Sequence, residues 1–120
     1  MPFNYLLTNL LVDVPQAVGA IFVDGEGEAV EWVTRHSDPF HLKVEGAYHS
    51  IFMRQLEDLA ASMDVGAVAS FVLEGSQLIT LTQALPDGYH VVLVVDRSGS
   101  KAMALRRLRC AARVIAQEII

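Results

Sequence analysis

Between Ala67 and Val95 the chain reads AVASFVLEG, SQLITLTQAL, PDG and YHVVLVV. Runs rich in Val, Ile, Leu, Phe and Thr are separated by two short turn signals, Glu74-Gly75-Ser76 and Pro86-Asp87-Gly88. Connections this short return the chain antiparallel beside itself, because a parallel crossover takes about a dozen residues or more. The pattern predicts a three-strand antiparallel meander. Its first strand, Ala67 to Leu73, has neither charge nor proline. An edge strand is normally blunted by Lys, Pro or a bulge, since its free N–H and C=O groups pair with any partner. Either another strand of the same chain covers this one, or a second copy of the protein does.

Upstream, Phe3, Leu6, Leu7, Leu10 and Leu11 recur at helical spacing. They predict a short helix over Phe3 to Val14, ended by Pro15. Ala17 to Val23 is apolar throughout and reads as a strand buried on both faces. Asp24-Gly25-Glu26-Gly27 is a hairpin turn, and Ala29 to Thr34 returns from it with Val30 and Trp32 turned inwards. Arg35 to Phe40 reads as a loop, with Ser37-Asp38-Pro39 as a helix start. His41 to Met63 is the longest helical pattern. Its stripe of Val44, Tyr48, Ile51, Phe52, Leu56, Leu59 and Met63 reads mostly as core, with Lys43, Ser50, Arg54 and Glu57 on the opposite side. Gly46, Ala47, Ala60 and Ala61 are small enough to let another backbone come close. Asp64 and Gly66 close the helix. Beyond a loop at Asp96 to Ser100, Lys101 to Ile120 reads as an amphipathic helix through Leu105, Leu108, Ala112, Ile115 and Ile119.

These elements predict one α/β (α+β) domain over residues 1–120, in the order helix, hairpin, helix, meander, helix. A hairpin and a meander join most economically as a single five-stranded antiparallel sheet. Ile21 to Val23 and Val91 to Val95 belong at its centre. The strands of Trp32 and Phe71 then form the two edges. Helices must cover both faces, giving a three-layer α-β-α arrangement, because the central runs cannot face water on either side.

Composition sharpens this picture. An apolar share of 52% against 19% charged residues is that of a folded chain, and slightly oily for a small monomer, which leans towards an interface. No apolar run approaches the ~18 residues of a bilayer span, which argues against stable membrane insertion. The N-terminus lacks the basic region and cleavage site of a signal peptide, and a single cysteine, Cys110, fits a reducing cytoplasmic setting. Residues 1–96 carry 13 acidic and 3 basic side chains, whereas residues 97–120 carry 1 and 6. The acidic body argues against nucleic acid as a partner. In the basic segment Arg106, Arg109 and Arg113 share one helix side, with Arg107 beside them. A solvated face is the plain reading, and contact with an acidic partner or membrane surface the functional one.

Signs of catalysis are absent from the sequence. His36, His41, His49 and His90 have no Cys or carboxylate at metal-ligand spacing. Ser98-Gly99-Ser100-Lys101 lacks the upstream glycine of a phosphate loop and reads as a helix cap. Gly25 and Gly27 precede a strand, where a dinucleotide fingerprint needs a helix. Ser70, Ser76 and Cys110 lack a signature of activation by a base, and Cys110 reads as partly buried in the last helix. No catalytic, cofactor-binding or metal-binding residue is assigned, and no cofactor is expected.

The order of elements, together with VGAIFVDGEGE, GAYHSIFMRQL, LEGSQLITLTQALPDGYHVVLVVDRSG and ALRRLRCAARVI, resembles the roadblock (roadblock/dynein light chain) family over about Phe3 to Ile120. The resemblance implies a roadblock/profilin-like fold and a homodimer or close heterodimer. The first meander strands of two copies would pair into one continuous sheet, and the middle helices would pack together. Val68, Ser70, Phe71, Val72, Tyr48, Phe52, Gln55 and Leu59 would then form the interface. It also implies a Ras-like small GTPase as partner, with Lys43, Ser50, Arg54 and Glu57 on the surface facing it. Bacterial members of the family resemble regulators of a polarity and gliding GTPase, non-enzymatic by themselves. The rival expectations are a PAS- or profilin-like ligand sensor, which needs a cavity with convergent polar groups, and a small enzyme, which needs titratable groups clustered in a cleft.

Overall fold

Val91 to Val95, apolar throughout, lies in the middle strand of a five-stranded antiparallel sheet. A computed structural model describes residues 2–35 and 40–119. The elements are α1 (Pro2–Asp13), β1 (Ala17–Val23), β2 (Ala29–Thr34), α2 (Phe40–Met63), β3 (Ser70–Glu74), β4 (Leu78–Ala84), β5 (His90–Asp96) and α3 (Lys101–Ile119), with a 3-10 turn at Pro86–Gly88. Strand order is β2-β1-β5-β4-β3, so the strands of Trp32 and Phe71 are the edges.

Alternation along the strands divides the core in two. Phe22, Ile79, Leu81, Val91, Leu93 and Val95 face α1 and α3, where they meet Leu7, Leu10, Leu108 and Ile115. Ile21, Val23, Val92 and Val94 form the core of the other face, which α2 covers by packing on β1, β2 and β5. The expected helix cap is present at Ser100, whose Oγ accepts the Met103 N–H at 3.2 Å. α2 ends as the sequence suggests. Asp64 takes the left-handed conformation at φ 58°, and the Asp64 and Val65 N–H groups bond back to Ala61 and Ala60, a Schellman closure.

Four expectations need correction. The apolar stripe of α2 is not core: Tyr48, Ile51, Phe52, Leu59 and Met63 are exposed and Leu56 is half-buried. The sheet is met instead by His49, Met53 and Ala60, one turn or two apart on a different helix face. β3 begins at Ser70, not Ala67, because residues 65–69 carry the chain from the helix end to the sheet edge; Val68 therefore precedes the strand. Val30 and Trp32 do not share a face. Phe22 opposes Glu31 while Val23 opposes Ala29, so Val30 is the extra residue of a bulge and packs on the α1/α3 side, with Trp32 on the other. Cys110 is exposed. His36 and the helix start at Ser37-Asp38-Pro39 lie outside the described residues, as do the side chains of His41, Lys43, Val44 and Ser50.

Leu93 is fully buried in the middle strand. Leu93→Ala is expected to lower unfolding free energy by about 2–5 kcal/mol. Urea titration checks this: the midpoint falls while the slope stays unchanged.

Candidate functional site

The sheet ends at β3 with a row of unpaired backbone groups. The Ala84 N–H donates to the Ala69 carbonyl at 2.8 Å, and the Gly75 N–H to the Leu78 carbonyl at 2.9 Å. With the register Ser70↔Gln83 to Glu74↔Ile79, these bonds fix the alternation of the antiparallel ladder. Phe71 and Leu73 bond inwards to β4. Ser70, Val72 and Glu74 turn their N–H and C=O groups outwards, and no strand follows β3 among the described residues. Nothing in Ser70-Phe71-Val72-Leu73 blunts this edge.

The exposed stripe of α2 adjoins it. Tyr48 and Phe52 stack with ring centroids 6.4 Å apart. Phe52 meets His49 edge-on at 6.1 Å, and His49 stacks on Phe71 of β3 at 5.5 Å. Ring contacts thus link Tyr48 and Phe52 on the helix, through His49, to Phe71 on the strand. Tyr48 is 56% exposed, Leu59 54% and Leu73 54%, large values for apolar side chains of this size.

Beneath the rings lies a polar contact. His49, only 3% exposed, shares a 2.8 Å hydrogen bond through Nδ1 with Oγ1 of the fully buried Thr82. Burial lowers the His49 pKa from the usual 6.5 to about 4, so the ring is neutral near pH 7. His90, buried nearby, is also held below its ordinary value by burial, with the Arg54 charge adding to the shift and Glu57 opposing it.

Solved structures share this architecture. A roadblock/LC7 domain from Streptomyces avermitilis superposes with a TM-score of 0.88 at 15% identity, covering 97% of this chain and 96% of that one. Myxococcus xanthus MglB gives 0.89 at 13% identity over 99% and 95%. The gliding protein MglB of Thermus thermophilus gives 0.86 at 15% identity over 96% and 86%. The chain has the roadblock fold. No sequence-family model matches it, and no curated protein sequence does.

Within the roadblock fold the expected interface residues fall together in part. Tyr48, Phe52, Gln55 and Leu59 are exposed on α2, Ser70, Phe71 and Val72 lie on the edge strand, and Val68 is half-buried just before it. Arg54 and Glu57 are exposed and close enough to His90 to act on its charge. Lys43 and Ser50 lie on α2. Among the described residues no three His, Cys, Asp or Glu side chains gather to hold a metal. Sequence reasoning left two residues without a role. His49 belongs to a second, weaker stripe, His49-Met53-Leu56-Ala60, that spacing alone could have revealed. Arg35 donates to the carbonyls of Leu11, Pro15 and Ala17, tying the end of α1 to β1, and no local pattern announces it.

The His49 shift has a direction in pH. Its folded pKa lies below the unfolded one, so between about 4 and 6.5 the unfolded state binds more protons. Stability contributed by neutral His49 is complete above 6.5 and is lost as pH falls towards 4, a change of roughly 3 kcal/mol. His90 adds in the same direction. Glu74, lowered chiefly by its hydrogen bond and charge contact with Lys101, and Asp96, lowered by hydrogen bonds from Ser98, weaken the fold only at more acid pH. Denaturant melts across this range are expected to show the loss, and His49→Gln to flatten it.

Proposed function

We propose that this protein is a self-associating, non-catalytic regulator or scaffold for a Ras-like small GTPase. The observation that carries the reading is the bare β3 edge beside the exposed apolar stripe of α2. A twofold pairing buries both at once, because a self-complementary patch meets its own copy. β3 of each copy then continues the other's sheet, and the two α2 helices lie side by side. Val68, Ser70, Phe71, Val72, Tyr48, Phe52, Gln55 and Leu59 make this contact.

The GTPase partner follows from the resemblance of the hairpin, middle helix and meander to roadblock proteins. The names of the structural neighbours support it in kind: one is a gliding protein, and another MglB structure is described with a tetrameric arrangement. The polar side of α2, with Arg54 and Glu57 beside Lys43 and Ser50, is the surface assigned to the GTPase.

Val72→Pro removes an outward N–H and leaves the inward bonds of Phe71 and Leu73 in place. Sedimentation velocity at micromolar concentration is expected to show a dimer for the natural sequence and a shift to monomer for Val72→Pro. A natural sequence that sediments as a monomer removes the pairing. For the partner, small GTPases encoded in the same genome are tested for binding and for a changed hydrolysis rate. Arg54→Glu with Glu57→Arg is expected to weaken the effect about tenfold without altering sedimentation. If no such GTPase binds or changes rate, the regulatory role falls while the pairing stands.

A further inference from the structure

The second unclaimed surface is on the opposite side of the sheet. Ser70, Val72 and Glu74 alternate with Phe71 and Leu73 and face the α1/α3 layer. Yet α3 packs over β4 and β5, leaving β3 at its flank. One hollow of about 410 Å³ lies there, lined by Val72, Glu74, Lys101, Ala102 and Leu105. A second, of about 490 Å³, continues along α3 past Ala102 and Leu105 to Arg106, Arg109 and Arg113. Shared residues make them one groove, apolar on its floor and cationic on its wall.

The wall is unbalanced. Arg106, Arg109 and Arg113 repeat at spacings that bring like charges together on one helix side. Among the described residues none of the three makes an ion pair or a hydrogen bond. Glu74, the carboxylate at the groove's end, is already engaged by Arg97 at 2.7 Å and Lys101 at 2.9 Å. In a chain whose other charges are mostly acidic, this is a cationic site without an internal counter-ion.

We propose that the groove binds an acidic amphipathic helix of a partner protein. Its apolar side rests on Val72 and Leu105, and its carboxylates accept hydrogen bonds from Arg106, Arg109 and Arg113. The planar guanidinium suits this task, since it meets a carboxylate with two parallel bonds. A membrane is a poorer fit, because a bilayer is entered by protruding apolar side chains and here they lie recessed between charges. The second wall rests on the self-association reading. With strands ~4.8 Å apart, pairing through β3 sets the two α3 helices, each above β4 and β5 of its own copy, ~19 Å from each other. A helix between them sits at the usual ~8–10 Å packing distance from both.

The test is fluorescence anisotropy of a labelled amphipathic peptide carrying Glu on one helical face and Leu on the other. A version with Lys in place of Glu and vesicles containing phosphatidylserine serve as comparisons. The protein is expected to bind the Glu peptide, to release it as salt is raised, and to lose about tenfold or more in affinity in the variant Arg106→Gln, Arg109→Gln, Arg113→Gln. Circular dichroism confirms that this variant folds, and Arg107→Gln, on the same helix but outside the groove wall, is expected to bind as the natural sequence does. The proposal is overturned if the folded natural protein does not bind the Glu peptide, if the triple variant binds equally, or if vesicles are taken in preference. Sedimentation of the same samples separates the two readings. A monomer that binds with arginine dependence keeps the groove and loses the pairing; a dimer that does not bind loses the groove alone.

Discussion

The side of α2 that meets the sheet carries His49, Met53 and Ala60, and the hydrogen bond between His49 and Thr82 helps to hold it there. Thr82 stands fully buried on the sheet face beneath this helix, and a buried hydroxyl without a partner costs about 1–3 kcal/mol. His49 supplies the partner at 2.8 Å, and it can do so only if its own side of the helix faces down. Each residue advances an α-helix by about 100°, so seating His49, Met53 and Ala60 on the sheet turns Tyr48, Phe52 and Leu59 away from it. The apolar stripe is therefore left outside the chain's own core when the His49, Met53 and Ala60 side packs down.

That displacement links packing to assembly. Burial of apolar surface is worth about 25 cal/mol per Å², and this driving force is left unspent along α2 and at Leu73. The adjoining strand has a matching deficit, since the outward N–H and C=O groups of Ser70, Val72 and Glu74 find no partner in their own sheet. An apolar helix face and an open strand edge are complementary demands. In the proposed pairing a second copy would meet both, as each supplies what the other lacks. Phe71 binds the two features into one surface, because its ring stacks on the same His49 that helps to hold the helix.

The sequence made the sheet legible almost completely. Short Gly- and Pro-bearing turns forced antiparallel neighbours, and the apolar-throughout runs of β1 and β5 could only be central. α3 was legible because its apolar residues lie on one narrow face, where Leu108, Ala112 and Ile115 are indeed buried. α2 was misread for a physical reason. It carries two stripes, Tyr48-Phe52-Leu59 and His49-Met53-Ala60, and periodicity weighs the more hydrophobic one as core. Hydrophobic spacing reports everything a helix is suited to bury, including what another molecule would cover. The bulge at Val30 escaped because alternation through Val30 and Trp32 is locally perfect, and only pairing with Phe22 and Val23 shows the extra residue. The groove beside α3 was half visible: three arginines on one side could be counted, while the neighbouring Val72 floor required the fold.

The two proposed surfaces are coupled through the same strand. The proposed pairing through β3 would bring Arg106, Arg109 and Arg113 of both copies to face one another across the uncovered middle of the sheet. Like charges so arranged oppose association, and more strongly at low salt. The apolar contact of α2 and the backbone bonds of β3 must outweigh that repulsion. An acidic helix lying between the clusters removes it, so its binding strengthens the pairing, and by linkage the pairing strengthens the binding of the helix by the same factor. Self-association and partner capture are then one equilibrium, in which the empty dimer is the strained member.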